Sequence, residues 1–104
     1  MSSINSGSIV IVGAPNVKIT NLAITANQEF SHTLEDNTTV LEFKARPSDN
    51  ASLKYSFTET ESGSQYISVP ECTGQSFAGI KLSGKTLYLQ SPKSCTVEII
   101  EFYN

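Results

Sequence analysis

Tryptophan is absent from this chain of 104 residues, histidine and methionine each occur once, and cysteine occurs twice. A lone histidine with two cysteines cannot complete a zinc site of the usual kind, and Cys72 and Cys95 do not form a C-x-x-C pair. Charged residues are only 16 % of the chain, so the highly charged composition of a disordered polypeptide is missing. Positive charge is scarcer than negative: 7 Lys and Arg against 10 Asp and Glu leave a net charge of −3. That balance argues against nucleic acid as a partner, because such binders carry a basic face that neutralises phosphates. The longest apolar run is Ile9 to Val12, far too short for a membrane-spanning helix. Met1 to Gly7 has neither a basic start nor a long apolar stretch, so the expectation is a protein made in a cytoplasm without export. In a reducing compartment the two thiols are expected to stay free, although both lie in turn-like segments that a fold can bring together. A helical period near 3.6 is nowhere to be found.

What is there is Ser, Thr and Asn, about a third of the chain, and a hydrophobic set (38 %) made mostly of Ile, Leu, Val, Phe and Tyr. A single domain of this length buries about two thirds of its surface, enough for one modest core. The dominant period is two. Thr39, Leu41, Phe43 and Ala45 alternate with Val40, Glu42, Lys44 and Arg46; Leu53, Tyr55 and Phe57 alternate with Lys54, Ser56 and Thr58. Thr86 to Gln90 is rich in strand formers, and Thr96 to Tyr103 alternates with apolar residues on both faces. Ser8–Val12 and Val17–Ala26 also read as strands, with Glu29–Leu34 and Gln65–Val69 as weaker candidates. Turn chemistry separates them. It sits at Gly13-Ala14-Pro15-Asn16, Glu35-Asp36-Asn37 (read as a hairpin-like link), Arg46 to Asn50, Glu61 to Ser64, Pro70 to Gly74, Ser83-Gly84-Lys85 and Ser91 to Ser94. Turns every 8 to 15 residues or so predict an all-β fold. The expectation is a single small antiparallel β-sandwich, jelly-roll-like or Ig-like, over residues 14–104, with residues 1–13 as an N-terminal arm or edge strand. Its core is expected to hold Leu22, Ile24, Leu41, Phe43, Leu53, Tyr55, Phe57, Leu87, Leu89, Val97 and Ile99.

Several motifs invite a chemical reading. Gly79-Ile80-Lys81-Leu82-Ser83-Gly84-Lys85-Thr86 fits the phosphate-loop pattern, but that chemistry needs a helix N-terminus to hold the phosphates, and Thr86 runs into a strand that Pro92 closes. A β-turn at Ser83-Gly84-Lys85 is the plainer reading. Gly74-Gln75-Ser76-Phe77-Ala78 approaches a nucleophile elbow, with Ala78 where the second glycine belongs. A triad would need the fold to carry His32 to Ser76; the plainer reading makes His32 an exposed strand residue. Glu35 with Asp36, Glu59 with Glu61, and Glu98 with Glu101 match no calcium loop, and solvated strand ends explain them. Tyr66, Phe77, Tyr88 and Tyr103 are candidate platforms for stacking on sugars. Asn37-Thr38-Thr39 and Asn50-Ala51-Ser52 match the glycosylation pattern, as chance allows in a chain so rich in these residues. No catalytic residue, cofactor site or metal site is predicted. Ile9 to Val12 is apolar on both faces of a strand, so it needs partners on both; with Ile4 it forms the candidate assembly interface, together with an edge strand's unpaired backbone.

The second half of the chain also resembles a known class. Leu41 to Arg46, Leu53 to Phe57, Ser62 to Pro70, Leu82 to Ser91 and Val97 to Tyr103 follow one another in an order and spacing similar to those of small β-sandwich virion proteins of tailed bacteriophages. The similarity runs from Thr39 onward, about two thirds of the chain. It departs from the pattern at Cys72-Thr73, where a Gly-rich turn is usual, and at Phe102-Tyr103, where the class ends in Trp. The resemblance implies a non-enzymatic building block of the virus particle, made in the host cytoplasm and incorporated into the virion. It implies a capsid decoration (cement) protein that binds the major capsid protein or other virion proteins in many copies, itself a homo-oligomer. The alternatives are a head–tail junction or tail-associated component and, from another class, a carbohydrate-binding module with a glycan ligand.

Overall fold

Period-two alternation becomes eight strands in the computed structural model, which describes residues 16–78 and 82–104. They are β1 (Asn16–Ile24), β2 (Phe30–Thr33), β3 (Thr38–Ala45), β4 (Leu53–Ser56), β5 (Ile67–Val69), β6 (Gly74–Ala78), β7 (Thr86–Gln90) and β8 (Cys95–Tyr103). A single 3-10 turn, Pro47–Asp49, follows β3; proline opens it with a preset φ, and Asn50 closes it in the left-handed region at φ 48°.

The strands form two four-stranded sheets, one in the order β1-β8-β3-β6 and the other in the order β2-β7-β4-β5. Every pairing is antiparallel. Only β4 and β5 are consecutive strands that pair with each other; every other connection passes from one sheet to the other. This is the eight-stranded jelly roll, and it settles the choice between the two sandwich types, since an Ig-like constant domain has seven strands in a different order. The Glu35-Asp36-Asn37 link is therefore not a hairpin. It carries the chain from β2 in one sheet to β3 in the other, with Asn37 at φ 63° making the corner.

The inward positions of the two sheets make the core: Leu41, Phe43 and Ala45 with Val97 and Ile99 on one side, Leu53, Tyr55, Leu87 and Leu89 on the other. Leu22 and Phe57 pack at its margin. Tyr55 anchors an aromatic cluster, with its ring 5.1 Å from Phe43, 6.2 Å from Phe57 and 6.0 Å from Phe77, all edge to face. Such pairs contribute about 0.5–1.5 kcal/mol each beyond their burial. Leu34, Ala51 and Leu82 are also fully buried, although they lie in connections. A corner between two sheets can bury a side chain that no strand alternation marks.

Two strand assignments shift. β1 stops at Ile24, two residues before the expected end, and β6 forms where Gly, Gln and Ser gave no strand signal. β6 is held by its register with β3, Phe77 facing Leu41 and Gln75 facing Phe43. Cys72 is exposed and Cys95 buried, and both are free thiols. The turn at Ser83-Gly84-Lys85 is present: the Lys85 N–H donates to the Leu82 carbonyl at 3.1 Å, and Gly84 supplies φ 66°. Thr86 then opens a strand, not a helix. Residues 79–81 of that motif, and the whole of residues 1–13 with Ile4, Ile9, Val10, Ile11 and Val12, lie outside the described residues.

Candidate functional site

Among the described residues the inward face carries one carboxylate with no solvent exposure, Glu101 on β8. It accepts from His32 Nε2 at 2.7 Å and from the Glu35 N–H at 2.8 Å. The Thr38 hydroxyl lies 3.2 Å from the same carboxylate and 2.8 Å from the Glu35 carbonyl, so one proton is shared between them. His32 belongs to β2 in the opposite sheet, so the pair bolts the two sheets together. This corrects two expectations. His32 points inward, its side chain only 10 % exposed, and Glu101 is no solvated strand end. The alternation that places Val97 and Ile99 inside places position 101 there too, and a buried charge needs partners. Lys18 closes the outer rim of the cluster: its Nζ is 2.6 Å from Glu35 Oε2. The hydrogen bond it donates to Glu35, then the negative charge of that carboxylate, pushes the Lys18 ammonium above its usual value.

A second carboxylate organises a loop. Glu29 accepts from the Ser62 hydroxyl, from the Thr60 N–H at 2.8 Å and from the Ser62 N–H at 3.1 Å. Partial burial pushes its carboxyl up, but the three hydrogen bonds outweigh that and hold it below the usual range. Burial pushes the Cys95 thiol up, which keeps it protonated and unreactive. These groups hold the fold together. They do not converge on a cleft, and among the described residues no three His, Cys, Asp or Glu side chains come together as a metal-ligand set. Ser76 is exposed on β6 of one sheet while His32 points inward from the other, so no triad is assembled.

The surface that remains is the outer face of the β1-β8-β3-β6 sheet. The register lays its outward side chains in rows across four strands. One row is wholly apolar, Val17, Phe102, Val40 and Ala78, with Phe102 itself buried and Val40 half-buried. The next is Ile19, Ile100, Glu42 and Ser76, and the third is Asn21, Glu98, Lys44 and Gly74. Polarity thus rises along the face, from the end where β1 begins. Val17 is 52 % exposed and Ile19 67 %. Glu98 is held by Arg46 Nε at 2.9 Å, with Lys44 Nζ at 3.9 Å, and the Arg46 guanidinium also donates to Asn21 Oδ1 at 3.3 Å. The polar end is a shallow groove of about 630 Å³, walled by two connections, Pro47 after β3 and Cys72 and Thr73 before β6. The opposite sheet presents Thr33, Thr86, Tyr88, Gln90 and Lys54, a polar surface with Tyr66 under the Lys54 ammonium, 4.8 Å from ring centre to Nζ.

Of the aromatics expected as sugar platforms, Tyr66 is exposed, Tyr88 and Tyr103 are half-buried, and Phe77 turns inward to Tyr55. They do not share a face with the groove. No sequence signal marked β1 as an exposed apolar edge; its alternation was legible, but the side that would face solvent was not. Among the described residues no helix is long and apolar enough to cross a membrane.

No protein-family model matches this sequence, and no curated protein matches it. A solved structure does: the solution NMR structure of a de novo designed double-stranded β-helix, 10 % identical, with a TM-score of 0.53 over 84 % of this chain and 99 % of that one. At that identity the likeness speaks for the fold alone, and it agrees with the two four-stranded sheets read from the register.

Proposed function

We propose that this jelly roll is a non-enzymatic structural protein of a bacteriophage virion, a capsid decoration subunit that binds the major capsid protein or another virion protein in many copies and stabilises the shell. The similarity from Thr39 onward supports the class of protein. The observation that carries the mode of action is the outer face of the β1-β8-β3-β6 sheet, where exposed Val17 and Ile19 continue into Ile100 and Val40. Exposed apolar surface of this kind suits adhesion. Each contact is modest, and a symmetric lattice multiplies it. Ile4 and Ile9 to Val12, together with a sheet edge, are proposed as the assembly interface. A net charge of −3 keeps the free subunit soluble. No cofactor enters this reading.

The test is a count and a binding assay. Quantitative mass spectrometry of purified particles is expected to find this chain in copies on the order of hundreds, as a closed icosahedral shell requires; about six to twelve copies would assign it to a head–tail or tail ring instead. Replacing Ile9 and Ile11 by Lys in the full chain is expected to leave the domain folded and abolish its binding to undecorated shells. Saturation of the shell by that variant would remove residues 9–12 from the interface. The groove beside Asn21, Glu42, Lys44 and Glu98 favours a second reading, glycan binding, because amides and paired charges can bracket sugar hydroxyls. A glycan array with no signal above background dismisses it.

A further inference from the structure

The four sheet edges are not alike. β2 has four residues, β5 three and β6 five, and shortness is itself protection against strand addition. β1 has nine residues and pairs with β8 on one side; among the described residues nothing pairs with its other side. Its outward side chains are Val17, Ile19, Asn21 and Ala23, none of them charged. Lys18 is its one charged residue, an inward-pointing charge of the kind that discourages strand addition, but Glu35 Oε2 neutralises it at 2.6 Å.

We infer that the partner of this edge is the same edge of a second copy, paired antiparallel across a two-fold axis so that the two sheets join into one of eight strands. The chemistry of β1 favours its own copy. A two-fold contact sets each residue against a residue of the same strand, so any charged edge near the axis repels itself. In the register of full overlap, Thr20 faces Thr20 of the second copy, Ile19 faces Asn21, Lys18 faces Leu22 and Val17 faces Ala23. No like charges meet: Ile19 of each copy packs beside the uncharged Asn21 of the other, and Val17 beside Ala23. Main-chain hydrogen bonds supply the attraction, as in other strand additions. The contact bears on the proposed assembly role by naming how copies touch, but its physical basis is separate from that role.

Sedimentation of the full chain tests it. The mass is expected to rise from one chain towards two between about 10 µM and 1 mM, the range of a small edge contact. Ile19→Lys, at a site already 67 % exposed, is expected to keep the fold by circular dichroism and lower association at least tenfold; Val17→Lys provides a second variant. Single cysteines at Ile19, Thr20 and Asn21, each in a Cys72→Ser background, locate the axis. The variant at or nearest it is expected to oxidise to a covalent dimer, since directly opposed Cα atoms lie about 4.5–5.5 Å apart. A monomer throughout the range overturns the inference, and so does a dimer that Ile19→Lys leaves intact and none of the three cysteines traps. A monomer that still decorates shells leaves the proposed function standing, whereas a trapped dimer absent from particles removes the function and leaves the edge contact.

Discussion

At the scale of single residues, Glu101 dominates. Three donors surround a carboxylate that has no access to water. Glu101→Ala strips their common acceptor and leaves His32, the Glu35 N–H and the Thr38 hydroxyl under-satisfied. The expected loss is about 3–5 kcal/mol, read from the urea midpoint at constant slope. Glu101→Gln keeps the shape and one acceptor oxygen, so it is expected to cost less than the alanine variant. Glu29 supplies a pH dependence. Its folded-state carboxyl lies below the usual range, so its contribution is present above the unfolded value and is lost as pH falls through the folded one. Glu29→Gln is therefore expected to weaken the protein at pH 7 and to flatten its loss of stability as pH falls below the usual carboxylate range. Lys18 has the opposite sign. Its folded value is raised, so the effect of Lys18→Met is expected at neutral pH and should vanish as pH rises through that value. The pair is more than a third exposed, which keeps the effect small.

At the scale of elements, the connections between strands bear the backbone strain. Asn27, Asn37 and Asn50 occupy the left-handed region, which asparagine tolerates. Thr60 sits there too, at φ 67°, although it is β-branched. Its N–H serves Glu29, so the loop holds the conformation in place. Thr60→Asn keeps that N–H and is expected to raise stability by up to about 1 kcal/mol in thermal or urea unfolding. Gly84→Ala is expected to cost about 1 kcal/mol, because φ 66° is required for the turn that feeds β7. Much at this scale was legible in advance. Alternation at Leu41, Phe43 and Ala45, at Leu53 and Tyr55, and at Val97 and Ile99 marked the strands and their buried faces. β6 was not legible: Gly74, Gln75 and Ser76 carry little intrinsic strand preference, and the neighbouring β3 recruits them.

At the scale of the whole molecule, nearly every connection crosses from one sheet to the other, and the longest strands pair the two ends of the described chain, Asn16 with Tyr103. Such non-local pairing slows folding, because loops must close before contacts reward them. Stopped-flow refolding is expected to show a main phase in the range of milliseconds to seconds, slower than for a helical bundle of this length. The same topology decides the candidate surface. Val17 and Ile19 are ordinary strand residues until β1 is placed at an edge, and Glu101 is an ordinary acidic residue until β8 is placed at the centre of a sheet.

The amino-acid order by itself determined that the chain is all-β, where most strands and turns fall, which alternate apolar residues make the core, and that Ser83-Gly84-Lys85 turns into a strand. These follow from the two-residue pleat and from local turn chemistry, which act over a few neighbours. Only the tertiary structure decided which strands pair, that His32 meets Glu101 across the two sheets, and that a nine-residue edge is left on β1 among the described residues. The reason is physical: strand alternation is a local property that fits many pairings equally well, whereas pairing order is chosen by the joint burial of faces far apart in the chain.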